Sequence, residues 1–300
     1  MVFTEIKEID GRKYYYRIKS VRKGDKITRE RIYLGTDLNK PELNKKEEQA
    51  DEKLLSLNYL LTEEELKSLE KLKAEYKKEP LENLENRYEV FCARFTYDSA
   101  AIEGNTISLE ETSNLLFENL VPSNKSLREI NETLNHKKAF DFLLRYKGDI
   151  DKKFINKLHE LVIKDTLKPH LADQAGIYRK VQVYIRGTDW MPPKPEDVPN
   201  EMKNLLSWYT RNKKTLNPLI LAAYFHVAFE TIHPFVDGNG RTGRLLMNFI
   251  LRKNGFPMIN IPNRIKSKYY SALKEGQLGG NLRPFVQLLF DILKEQDLRF

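Results

Sequence analysis

The sequence predicts a mainly α-helical protein preceded by a small antiparallel β meander. Three observations carry that prediction. Residues 1–35 hold Tyr- and Ile-rich runs separated by turn residues. From residue 62 onward, apolar residues recur at helical spacing behind repeated capping boxes. The stretch "NPLILAAYFHVAFETI" at 217–232 is apolar almost all round, as the central helix of a bundle must be.

The elements follow in order. "FTEIKEI", "KYYYRIKSV" and "KITRERIYLG" are separated by "DGR" and "RKGD", which gives a three-stranded meander over residues 1–40. Residues 36–49, "TDLNKPELNKKEEQ", are polar with one proline and read as a linker. Thr62 stands three residues before Glu65, and Leu66, Leu69, Leu72 and Tyr76 then keep helical spacing until Pro80. Leu84, Tyr88, Phe91 and Phe95 share the next helical face. Two more boxes, Ser108 to Glu111 and Ser126 to Glu129, each open a helix. Phe154, Leu158, Leu161 and Val162 mark another at about 152–164.

The period then changes. "VQVYIRGTDWMPPKPEDVP" alternates before reaching Gly187 and four prolines, which predicts a short exposed hairpin and an extended loop. Helices resume at about 200–213. Asn217 suits an N-cap and Pro218 a first helical position. Two or three further helices complete the chain. The expected divisions are the meander at 1–40, a linker with N-terminal helices at 41–94, and a helical core at 95–300.

Composition narrows the class. Three hundred residues, 40% hydrophobic and 31% charged, fit a soluble globular chain with a sizeable core. No apolar run approaches the ~20 residues that span a membrane, and no signal pattern opens the chain. A cytoplasmic protein is expected. The single cysteine, Cys92, excludes an intrachain disulfide framework and reads as a small core residue among Phe91, Ala93 and Phe95. Residues 1–40 hold eleven Lys/Arg against six Asp/Glu, so most of the +8 charge belongs to the meander. Nucleic-acid phosphates are one ligand for such a segment; a solvated face or a homodimer contact is the plainer reading.

The densest chemistry lies at 233–244, "HPFVDGNGRTGR". Pro234 disfavours helical geometry at His233, so the apolar helix must stop there. Gly238 and Gly240 can take positive φ, Asn239 tolerates it, and successive N–H groups in such a turn form an anion nest. A second helix starting near Arg241 adds its N-terminal dipole, with Arg241 and Arg244 three apart on one face. Backbone cradle, helix N-terminus and two guanidinium forks suit a polyphosphate. Asp237 would repel it unless Mg²⁺ lies between them. His233 at the rim can take a proton from a nucleophile. A glycine-rich turn with incidental arginines is the plain alternative; base, acid and guanidinium groups within twelve residues argue against it. Signatures of P-loop, dinucleotide, zincin and hydrolase-elbow sites are absent.

These twelve residues resemble the Fic family signature, HPFx[DE]GN[GK]RxxR, at every fixed position. "AGIYRKVQVYIRG" and the prolines at 192–193 resemble the run into that family's flap, and the likeness covers about residues 95–295. The resemblance implies a Fic-type helical bundle with a β-hairpin flap that transfers AMP from ATP to a hydroxyl of a target protein. It implies His233 as general base, Phe235 as anchor of the loop and Asp237 as the Mg²⁺ ligand. Gly238, Asn239, Gly240 and Arg241 would hold the α- and β-phosphates, and Arg244 the γ-phosphate. Lysine at position 240, with other loop changes, would point toward phosphotransfer; this chain has glycine.

"SAAIEG" at 99–104 resembles the family's inhibitory motif, [ST]xxxE[GN]. Ser99 and Glu103 are four apart on one helical face, and Gly104-Asn105 ends the helix. A carboxylate there faces the negative end of the helix dipole, so a nearby cation would offset a cost of up to ~1 kcal/mol. By the resemblance, that cation is Arg244, with Glu103 in the γ-phosphate site. In some relatives the same glutamate assists removal of AMP. The flap strand, Val181, Gln182, Val183, Tyr184 and Ile185, would align a target segment by strand addition. His226 is expected to be a hydrogen-bonded core residue, while His136, His159 and His170 receive no role. Two other readings compete: a nucleic-acid-binding regulator using the fold as a nucleotide sensor, and an enzyme of this fold with another nucleotide or phosphorylated donor.

Overall fold

A computed structural model describes residues 2–23, 26–55, 57–78, 84–185 and 190–296. Pro80 and residues 186–189 lie outside these, so the expected helix stop and the turn of the hairpin lie outside the described residues. The chain divides into two compact units, Met1–Tyr59 and Leu60–Phe300.

The first unit is the meander and one helix. Strands β1 (Val2–Ile9), β2 (Arg12–Lys23) and β3 (Lys26–Thr36) pair antiparallel in that order. Asp10 and Gly11 both take positive φ, 51° and 76°, as a two-residue Asp-Gly hairpin turn requires. A bulge at Tyr15/Tyr16 shifts the β2–β3 register. The expected linker is a correction. Residues Lys40–Leu55 form helix α1. It covers a small cluster of Tyr15, Leu34 and Ala50, flanked by Ile32, Leu38 and Leu43. Few apolar positions do that work, and the helix is otherwise polar, so composition alone reads as linker. Glu47 of α1 pairs with Arg17 of β2 at 3.2 Å.

The second unit is helical. Its helices are α2 (Glu63–Tyr76), α3 (Leu84–Ile102), α4 (Leu109–Ser113), α5 (Leu127–Arg145) and α6 (Lys152–Ile163). They continue with α7 (Val198–Asn212), α8 (Pro218–Ile232), α9 (Asn239–Lys253), α10 (Lys266–Gly279) and α11 (Arg283–Glu295). The three expected capping boxes are present at α2, α4 and α5. A single π-helical turn, Asn114–Glu118, follows α4. Helix α8 runs through the centre, packed by α7, α9, α10 and α11. Its Leu219, Ile220, Leu221, Phe225 and Phe229 have no exposed surface, each contributing about 1.5–3 kcal/mol before chain entropy is charged. Cys92 is buried as expected. No helix among the described residues is long and apolar enough to cross a membrane.

Residues Val181–Ile185 form no strand, which corrects the expected hairpin. The returning arm carries Pro192 and Pro193, which have no N–H to donate to a ladder. The Gln182 side-chain amide instead donates to Pro192 O at 3.1 Å.

Asp149, between α5 and α6, ties three elements together. Its carboxylate accepts from Tyr209 of α7 at 2.7 Å and pairs with Lys213 at 2.5 Å and Lys253 of α9 at 3.1 Å. Burial alone would raise its pKa, but these donors and the Ile150 N–H hold it below the usual carboxylate range. A depressed folded pKa gives stability that is present above the unfolded value of ~3.9 and lost as pH falls toward the folded one. Asp149→Asn is therefore expected to cost about 1 kcal/mol in urea unfolding at pH 7. The gap to wild type should narrow progressively below about pH 4.

Candidate active site

The site is built where α8 ends and α9 begins. Pro234 stops α8, and His233 takes φ 49°, ψ 61°, the left-handed cap conformation, with its N–H on Phe229 O at 2.9 Å. For a residue with a Cβ this conformation is strained and persists only if its surroundings hold it. Arg179 supplies that hold. Its Nε donates to His233 O at 2.8 Å and its backbone N–H to Pro234 O at 2.9 Å.

The loop beyond is braced from within. Asn239 accepts from Phe235 N–H at 3.0 Å through Oδ1 and donates to Phe235 O at 2.9 Å through Nδ2. Its side chain therefore serves the loop and leaves only its backbone N–H to face a ligand. The Phe235 ring is fully buried and stacks on His159 of α6, with centroids 3.6 Å apart and planes within 4°. His159 Nδ1 accepts from Gly176 N–H at 3.0 Å, so its Nε2 carries the proton and donates to Asp237 O at 2.9 Å. Burial pushes His159 down to about 4, in keeping with a neutral ring.

Gly238 takes φ 75° directly before α9. A Cβ there would also meet Ile163 Cγ2 at 2.4 Å, so glycine is required twice over. Gly240 lies in the first turn of α9, where a Cβ would come within 2.2 Å of Glu103 Oε1. The Glu103 carboxylate thus rests over the N-terminus of α9, beside free N–H groups and the positive end of the dipole.

Arg244 is 1% exposed. Its Nε donates to Ser99 Oγ at 3.0 Å, and Nη2 donates to Ser99 O and to Glu103 Oε1, both at 2.8 Å. The expected Ser99–Glu103–Arg244 grouping is therefore present. Arg241, 2% exposed, lies 3.5 Å from Glu132 and 3.6 Å from Asp237, and its Nε and Nη1 have no hydrogen-bond partner. Asp237 also pairs with Arg128 of α5 at 2.9 Å.

His233 is pushed down to about 4, chiefly by burial; a hydrogen bond to the Glu230 backbone and the charges of Glu103 and Asp237 work against that, and Arg179 with it. The imidazole is neutral at pH 7 and can accept a proton. The residues fit a hard divalent cation of one type. No group of three or more His, Cys, Asp or Glu among the described residues could cage a metal. One partly exposed carboxylate, Asp237, four residues before Arg241 at the start of α9, would supply a single ligand to Mg²⁺, which keeps waters and takes further ligands from any phosphate bound there.

All nine expected loop and inhibitory residues converge, from Ser99 and Glu103 on one side to His233, Asp237, Gly238, Asn239, Gly240, Arg241 and Arg244 on the other. Sequence reading missed His159, Arg179, Glu230 and Arg128. His159 had a signal: it sits on the apolar face of α6 with Ile155 and Val162. Arg179 had none, because its partners are backbone carbonyls, which carry no residue-type signal. Gly238→Ala should destabilise the fold by about 2–4 kcal/mol in urea unfolding, from strained φ plus the Ile163 clash.

Residues 149–251 match the Fic/DOC family profile. The chain is 38% identical over 203 residues to protein adenylyltransferase Fic of Drosophila persimilis and 37% identical over 202 residues to protein adenylyltransferase fic-1 of Caenorhabditis elegans. These matches cover 65% and 64% of this chain but 38% of each relative, so the chain spans well under half of those proteins. A solved fragment of C. elegans Fic-1 superposes with a TM-score of 0.69 at 30% identity, over 86% of this chain and 76% of that one. A Fic-domain-containing signaling protein from Bacteroides thetaiotaomicron also gives 0.69, at 28% identity, over 76% of this chain and 93% of that one. With the C. elegans Fic-1 fragment 30% identical and covered over 76% of its length, and the profile matched at residues 149–251, the chain belongs to the Fic/DOC family.

Proposed function

We propose that this protein is a protein adenylyltransferase held in check by its own Glu103. The observation that carries the reading is the placement of one carboxylate on Arg244 at the mouth of α9, in a loop that otherwise offers a phosphate cradle beside a neutral histidine. The curated relatives are named for the same activity.

In the proposed reaction a target hydroxyl oxygen attacks the α-phosphorus of ATP. The new O–P bond forms as the bond from the α-phosphorus to the bridging β-oxygen breaks, and pyrophosphate leaves. His233 takes the hydroxyl proton. The N–H groups at Gly238–Gly240 and the first turn of α9 hold the α- and β-phosphates, with Arg241 beside them. Arg244 binds the γ-phosphate once Glu103 has moved away. When bound at Asp237, Mg²⁺ would offset phosphate charge there. Arg128 would then have to give up Asp237, an exposed pairing worth little.

While Glu103 stays on Arg244, the γ-phosphate is denied its place and the α-phosphorus is turned from the line of attack. Glu103 is about one-third exposed on its side chain, so a water held by that carboxylate could attack an AMP-modified target. Removal of AMP is the second reading. The target segment is proposed to lie along Val181–Ile185, whose backbone is free of strand pairing and whose Tyr184 is 77% exposed.

Incubation with ATP labelled at the α-phosphate tests the account. Glu103→Gly should raise labelling of itself or a target by at least about tenfold, and His233→Ala in that background should abolish it. Equal labelling of wild type and Glu103→Gly contradicts the brake. Label passing only from the γ-phosphate contradicts AMP transfer.

A further inference from the structure

Arg179 is 2% exposed, and among the described residues no carboxylate pairs with it. A guanidinium buried without a counter-charge is costly unless strong dipoles surround it. Every group it donates to is a backbone carbonyl. Nε reaches His233 O at 2.8 Å, Nη2 reaches Ile232 O at 3.4 Å and Pro193 O, and Nη1 reaches Val181 O at 3.2 Å. Two of these carbonyls end α8, where the helix dipole is negative and favours a cation. The other two stand on opposite arms of the 181–193 segment. Packing alone would be served by leucine. What the planar fork adds is a fixed geometry between three pieces of chain held by one side chain, beside the separate Gln182–Pro192 and Trp190–Thr231 bonds.

We propose that Arg179 is a positioning residue that transmits the seating of a target segment on Val181–Ile185 to the peptide of His233. This rests on the transfer reading above. When the 181 arm is pulled into an added strand, Val181 O turns or stays, and the guanidinium carries that choice to His233 O. The strained left-handed φ of His233 makes its ring direction sensitive to that pull. The charge also bears on the ring itself. Four groups face His233: Glu230 of α8, which acts through its backbone and whose carboxyl lies 3.9 Å from Nδ1, Glu103 beyond α3, Asp237 of the loop, and Arg179. Arg179 alone among them favours the neutral imidazole.

The test uses the full chain with Glu103→Gly, alone and combined with Arg179→Lys or Arg179→Gln. Self-labelling is followed against ATP concentration. The expected result is a maximal rate lower by on the order of 10- to 100-fold with half-saturating ATP unchanged. A merely structural role would move both together with the melting temperature, and that outcome overturns the proposal. The His233 signal is also followed by NMR of histidine-labelled protein, assigned with His233→Ala. It should shift in both variants, and its pKa should rise toward the ordinary ~6.5 in Arg179→Gln but not in Arg179→Lys. An unmoved His233 signal in both variants overturns the proposal. If the Glu103→Gly parent itself transfers no label, the transfer reading has failed and the NMR arm decides Arg179 by itself. If Arg179→Gln does not fold, the signal of Arg179→Lys decides.

Discussion

Arg244 carries a permanent charge with almost none of its surface in solvent, and the rest of the site is arranged around that constraint. Ser99 gives it a hydroxyl and a carbonyl, but neither cancels a charge. The other acid nearby cannot do so. Burial pushes Glu230 up to about 8, against the pull of Arg244, so it is mostly protonated at pH 7. Burial likewise drives His226 down to about 3, and Tyr269 donates to or accepts from it while remaining phenolic. Glu103 is left as the carboxylate that pairs with Arg244, at 2.8 Å. Anything that displaces it must bring negative charge of its own, which is the physical reason a phosphate is the natural competitor.

That competition matters only because the loop does not give way. Phe235 is locked by His159, Asn239 closes the turn on both faces of the Phe235 peptide, and Arg179 ties down the carbonyl of His233. The first contact holds a ring, and the other two fix backbone groups. The N–H groups at the start of α9 therefore point where they do before any ligand arrives. Glu103 stands where α3 ends and α9 begins, so it relieves its own unfavourable place at the end of α3 by resting on the positive end of α9.

The sequence exposed the parts of this that are local. Three capping boxes marked three helix starts, and the apolar run at 217–232 marked the buried centre. The loop was legible because its function needs glycines, a histidine before proline and arginines at fixed spacing. The pairing of Glu103 with Arg244 spans 141 positions and came from likeness to a family, not from spacing. The bracing by Arg179 was invisible for a related reason: its partners are carbonyls, which every residue has. Helix α1 was hidden by its polarity, since its sequence, KPELNKKEEQADEKLL, holds few apolar residues. The strand at 181–185 failed because alternation predicts a half-buried face but cannot supply the partner strand, and prolines occupied the place where one would be.

The central claim is that Glu103 fills the place a γ-phosphate needs on Arg244. The most direct measurement is the ratio of ATP to ADP affinity, by calorimetry with Mg²⁺, in wild type and in Glu103→Ala. In wild type the γ-phosphate should add little, giving a ratio near one. In Glu103→Ala the freed guanidinium should favour ATP by about tenfold or more. The same ratio in both proteins would contradict the account.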